Sequence, residues 1–274
     1  MTTFTYGMEF EVQGVSPSTA ANALNIGGIE CDRVREDIHE DNLDCWKAVA
    51  DGSVCNGAEV VSPILDDSRL NEASKVTRIL TKAGASVDRA TGFHVHIGFD
   101  AFNRTDRDGL SNTDALAQFV LNYYAAHHAI GALVAPSRLR NHFCKVLDRR
   151  EAESEANWIR SGNLSSNFQS RYYSLNLESL RRHGTVEIRL HQGTLNGVKA
   201  IAWAKFIAAM IDATKRGADF AAIEGLNAWQ PLDYGRGASD LNACGLLIDH
   251  LTAAGDLKPA TGDWLKGRAA RLNG

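Results

Sequence analysis

The chain has 274 residues, 44% of them hydrophobic and 23% charged, with a formal net charge of −4, an ordinary balance that allows a sizeable core. It carries neither a polybasic tail nor a basic repeat, which argues against general nucleic-acid binding. No apolar run approaches the roughly 20 residues that cross a bilayer, and Met1 to Phe10 lacks the basic-then-apolar pattern of a secretory leader, so the expected setting is the cytoplasm with no membrane attachment.

Phe4 to Val12 alternates strictly, with Phe4, Tyr6, Met8, Phe10 and Val12 on one side and Glu9 and Glu11 on the other, which predicts a strand. Cys31, Cys45, Cys55, Cys144 and Cys244 follow no C-x-x-C spacing and read as small thiols in a reducing compartment. Trp46 to Ala50 and Ala58 to Ser62 predict two further strands around the turn-forming Asp51-Gly52-Ser53. Ser68 to Ala83 predicts a helix through its Leu70, Ala73, Val76, Leu80 stripe, and Phe93 to Gly98 a strand. Asn112 to Ile130 predicts one long helix with His127 in its apolar stripe, where a histidine is expected to be core. Pro136 to Ser170 reads as irregular, with a short helix near Glu151 to Ile159. Arg171 to Leu177 and Thr185 to Leu190 predict a strand pair around the turn Arg182-His183-Gly184. Val198 to Thr214 predicts a helix, Glu224 to Gly237 a loop, and Ser239 the N-cap of a helix reaching about Ala254. Strands and helices without a regular βαβ rhythm predict an α+β fold on a largely antiparallel sheet backed by helices.

Period-2 alternation also decides which polar side chains share a face. Glu9 pairs with Glu11, His94 with His96, and Glu187 with Arg189 and His191, each set opposite apolar residues; Glu59 lies in another strand. A solvated sheet face usually mixes Thr, Lys, Gln and Ser, whereas lysine is absent from these positions. Four carboxylates gathered on one sheet would repel one another, and a divalent cation would remove the conflict. Hard oxygen ligands with one imidazole suit Mg²⁺ or Mn²⁺. The sequence contains no G-x-x-x-x-G-K-[ST] and no G-x-G-x-x-G. If ATP is used, its phosphates must therefore be held by metal ions and arginines, for which Arg138, Arg140, Arg171 and Arg189 are candidates. The charged surroundings of Arg138 and Arg140 make solvent exposure the expectation for both.

The ordered set Gly7-Met8-Glu9-Phe10-Glu11, Trp46 to Ser53, Glu59-Val60-Val61-Ser62-Pro63, Gly92-Phe93-His94-Val95-His96, Arg171 to Leu177 and Thr185 to Asn196 resembles the amidoligases of the glutamine synthetase-like carboxylate–amine ligase superfamily. The resemblance covers residues 4–215, and residues 216–274 are expected to be a helical support region of one domain spanning 1–274. It implies a curved antiparallel sheet of the glutamine synthetase-like catalytic fold, with ATP and divalent metals on its inner face. On that likeness Glu9, Glu11, Glu59, His94 and Glu187 are metal ligands. His94, His96, Arg171 and Arg189 bind nucleotide, and Arg189 and His96 meet the reacting phosphoryl group or the substrate carboxylate. Asp51 is either the family's acidic turn residue, with a catalytic part, or a plain turn residue. His191 either lines the site or faces solvent, solvent being the simpler reading.

The implied activity is ATP-dependent joining of a carboxylate to an amine through an acyl phosphate, releasing ADP and phosphate. The substrates would be small molecules or peptides, and self-association is left open. The rivals are a metal-dependent hydrolase built on the His94/His96 strand and a non-catalytic binding protein on the same fold.

Overall fold

A computed structural model describes residues 4–34, 44–50, 52, 56–103, 111–230 and 239–273. They fall into two compact units: residues up to 97 with 191–204, and residues 98–190 with those from 205 onward. The secondary structure is mixed α+β, with mostly antiparallel strands backed by helices, as the alternation and the irregular element order led us to expect.

The first unit holds β1 (Tyr6–Gln13), α1 (Pro17–Ile26), β2 (Cys31–Arg33), β3 (Trp46–Val49), β4 (Gly57–Val61), α2 (Glu72–Lys82) and β5 (Gly92–Gly98, all but its last residue). Its strands lie side by side in the order β2-β3-β4-β1-β5. Among the described strands of this unit, β2 and β3 are the parallel pair and the others are antiparallel. Alternation places Met8, Phe10 and Val12 of β1 and Phe93, Val95 and Ile97 of β5 fully inside. Phe10 packs against Phe93 and Trp46, with ring centroids 4.7 and 6.2 Å away. α1 covers β2, β3 and β4 and touches α2. Neither α1 nor β2 was expected. The Ser16 side chain accepts from Thr19 N at 3.1 Å and Pro17 opens the helix, a start signal that an alanine-rich segment without a clear stripe left unread.

The second unit holds α3 (Asn112–Ala125), α4 (His127–Gly131), α5 (Arg149–Arg160), β6 (Leu175–Asn176), α6 (Glu178–His183), the Thr185–Leu190 part of β7 (Thr185–Gln192), the later part of α7 (Gly197–Lys215), α8 (Leu241–Ala253) and α9 (Pro259–Asn273). The single helix expected over residues 112–130 is two, because Ala126 between them leaves helical geometry at φ −90° and ψ 11°. α5 begins with a reciprocal cap between Asp148 and Glu151. The turn expected at residues 182–184 is the end of α6, closed by Gly184 in the left-handed region at φ 64°. β6 is only two residues long and pairs Asn176 opposite Glu187. The cap of α8 is Asp240, which accepts from Ala243 N at 2.9 Å, rather than Ser239. Among the described residues, no helix is long and apolar enough to cross a membrane.

Candidate functional site

The polar face of β1, β4 and β5 is where the sequence-predicted residues of the first unit meet. In register, Glu9 lies opposite His94, and Glu11 opposite Glu59. Glu11 and Glu59 are therefore a like-charged cross-strand pair, an arrangement that destabilises a sheet unless something offsets it. The face is not an ordinary solvated one: His94 is 2% exposed, Glu11 6% and His96 9%.

Glu9 joins the two histidines. One of its oxygens lies 2.9 Å from His94 Nδ1 and the other 2.9 Å from His96 Nε2. A carboxylate only accepts, so these bonds place a proton on each of those ring nitrogens. Burial pushes the Glu9 carboxyl up, but the charge of His96 and the bonds from both imidazoles outweigh it and hold Glu9 well below the usual carboxylate range. Glu11 lies 3.5 Å from His94 Nε2 and accepts the Gly92 backbone N–H at 2.5 Å. A Cβ on Gly92 would fall 2.8 Å from His94 Nε2 and 3.4 Å from both Glu11 oxygens, so glycine is what lets imidazole and carboxylate approach here.

One donor atom each from Glu9, Glu59 and His94 lie within 4.8 Å of one another. Two carboxylate oxygens and one imidazole nitrogen at that spacing fit a hard divalent cation, and the Glu11–Glu59 opposition gives such a cation a repulsion to offset.

Glu187 and Arg189 belong to the second unit and are bonded to each other, Arg189 Nη1 donating to Glu187 Oε1. The other Glu187 oxygen accepts from Asn176 Nδ2 at 2.5 Å, and Asn176 in turn accepts from Glu178 N at 3.0 Å. Glu187 is 4% exposed, so both of its oxygens are held in a buried setting. Asn176 is the residue that sequence reasoning missed. Its only signal was its place in the Arg171–Leu177 segment, because a two-residue strand has no period to read.

Arg171 is exposed, with its guanidinium 5.5 Å from the Tyr172 ring centre. Arg140 is exposed as expected, but Arg138 is not: it is buried and donates to the carbonyls of Leu190 at 3.3 Å and Arg189 at 2.7 Å. These carbonyls pay for its desolvation and make it a support of the strand that carries Arg189. The solvent-facing reading of His191 also fails. The residue is 1% exposed, packed between Phe93 and Trp203 at 5.6 and 5.2 Å, and its Nδ1–H donates to the Gln192 carbonyl at 2.6 Å. His127 is core, as its stripe implied. Asp51 lies outside the described residues.

The class that this arrangement suggests is matched by the family comparison. The model of the family described as "Putative amidoligase enzyme" matches residues 2–211. The chain belongs to that family. No curated protein matches it. Among solved structures it is similar to "GmaS/ADP complex-Conformation 1" at 12% identity and a TM-score of 0.44, over 99% of this chain and 68% of that one.

Proposed function

We propose that the protein is an ATP-dependent carboxylate–amine ligase that forms an amide or isopeptide bond through an acyl phosphate, working in the cytoplasm on small-molecule or peptide substrates. The observation that carries this reading is the half-buried Glu9–Glu59–His94 donor set in a chain of an amidoligase family. Glu9, Glu11, Glu59 and His94 would hold Mg²⁺ or Mn²⁺. When bound, the cation would supply positive charge against the repulsion between ATP phosphates and a substrate carboxylate.

A carboxylate is a poor electrophile because its charge is delocalised and it lacks a good leaving group. Transfer of the ATP γ-phosphoryl group to it gives an acyl phosphate and ADP; attack by the amine then forms the amide and expels phosphate. The chain's own contribution is orientation and charge. Glu9 accepts from His94 Nδ1 and His96 Nε2 and so orients both rings on this face. Glu187, itself fixed by a bond from Asn176, holds Arg189, whose planar fork suits the oxygens of a phosphoryl group in transfer.

The test is incubation with Mg–ATP, candidate acids and hydroxylamine, following ADP and hydroxamate by mass spectrometry. The expected result is ADP with hydroxamate of one class of acid. AMP would indicate adenylation instead, and turnover that needs zinc but no nucleotide would favour the hydrolase rival.

A further inference from the structure

The second unit contains a cleft of about 350 Å³ that the ligase reading does not use. Its walls include Tyr124 of α3, His127 and His128 of α4, Leu147, Asp148, Arg149 and Glu151 at the start of α5, and Trp229. His127 is 1% exposed, and neither of its ring nitrogens has a hydrogen-bond partner among the described residues. A buried imidazole left without partners carries a desolvation cost that a ligand reaching it would relieve. Burial, with His128 beside it, pushes His127 down to about 3, so near neutral pH it presents one N–H and one lone pair.

The rest of the cleft selects the sign of the ligand. Asp148 and Glu151 contribute two carboxylates. Arg149, the one arginine or lysine of the lining among the described residues, is paired with Glu153 at 2.8 Å and lies over the Trp229 ring at 5.9 Å. The indole therefore already takes a cation on its face, and two acids remain against one compensated base. The lining thus combines carboxylates, aromatic and apolar side chains, and a buried neutral imidazole.

We propose that this cleft binds a small organic ammonium ion, with its apolar body against Trp229 and Leu147 and its N–H groups shared between His127 and the carboxylates of Asp148 and Glu151. The proposal is independent of the ligase reading, because that reading uses none of these lining residues.

The experiment is calorimetric titration of the full chain with phenethylammonium and, as a control of the same body and opposite charge, 3-phenylpropionate. The ammonium should bind and the carboxylate should not. Asp148→Asn keeps a good N-cap on α5 while removing one charge, and should weaken phenethylammonium at least about tenfold. His127→Phe keeps the ring volume and removes both nitrogens, and should do the same. Equal binding of the two probes, or unchanged phenethylammonium affinity in Asp148→Asn, overturns the proposal.

Discussion

Two regions of the molecule bury ionisable side chains in opposite ways. On the β1–β5 face, Glu9 is surrounded by His94 and His96 and stays charged, because bonds and opposite charge outweigh burial. Among the helices of the second unit, Glu155 and His127 are buried with no charged partner and are driven towards neutrality. Burial raises Glu155 to about 7, although Asn167 N donates to its carboxyl at 3.0 Å, and burial lowers His127 to about 3. The difference lies in the neighbours rather than the depth: a backbone N–H softens the desolvation of a carboxylate, and an imidazole on each oxygen reverses it. Charge kept in a buried place is available for chemistry; charge removed there serves packing or leaves a neutral acceptor.

The sharpest way to break that comparison is at a paired group. Arg189→Lys keeps the charge but loses the fork held by Glu187. Turnover in the hydroxamate assay should fall by about 1000-fold, while Mg–ATP affinity changes by less than about threefold. Near-normal turnover would remove Arg189 from the phosphoryl step. Glu9→Gln comes next. It removes the charge and leaves two imidazoles against one amide, and calorimetry should show Mg–ATP binding weakened by about 100-fold. Unchanged affinity would end the metal-ligand reading of that face.

The lone groups give a smaller effect with a definite sign. Glu155 has its pKa raised in the folded chain, from 4.5 to about 7, so between those values the native state holds a proton that the unfolded chain has lost. Its contribution to stability is greatest below about 4.5, declines as pH rises through that window, and is lost above about 7. His127, lowered from 6.5 to about 3, has the opposite slope below 6.5, because there the unfolded chain takes up the proton. The stability difference between the parent and Glu155→Gln isolates the first term. It should fall by about 2 kcal/mol as pH is raised from 4.5 to 7 in denaturant titrations. A flat difference would mean that Glu155 ionises as it would in water.

Much of this was legible because strands write their faces into the sequence. The alternation of Phe4 to Val12 and of Phe93 to Ile97 fixed both the core and the side on which Glu9, Glu11, His94 and His96 lie. The register did not show, so the sequence alone could not place Glu9 opposite His94 or Glu11 opposite Glu59. α6 and β6 are too short for a period. Arg138 and His191 were misread for a shared reason. Local composition makes a charged loop look wet and a strand-end histidine look peripheral, but carbonyls and aromatic rings remote in sequence cover them. Asn176 shows the same limit, since its importance is a bond to Glu187 and not a pattern of its own.

The chain passes between the units inside elements, changing sides within β7 after Leu190 and within α7 after Ala204. This has a consequence during synthesis. When residue 97 leaves the ribosome, the first unit still lacks His191 and Trp203, and Phe93 lacks the His191 ring that lies against it. At about 5–20 residues per second, translation of residues 98–190 takes roughly 5–20 s. For that interval the strand bearing His94 and His96 must stay soluble with part of its apolar side uncovered. A chain interrupted anywhere between residues 98 and 204 would leave the candidate metal-binding strands made but unfinished.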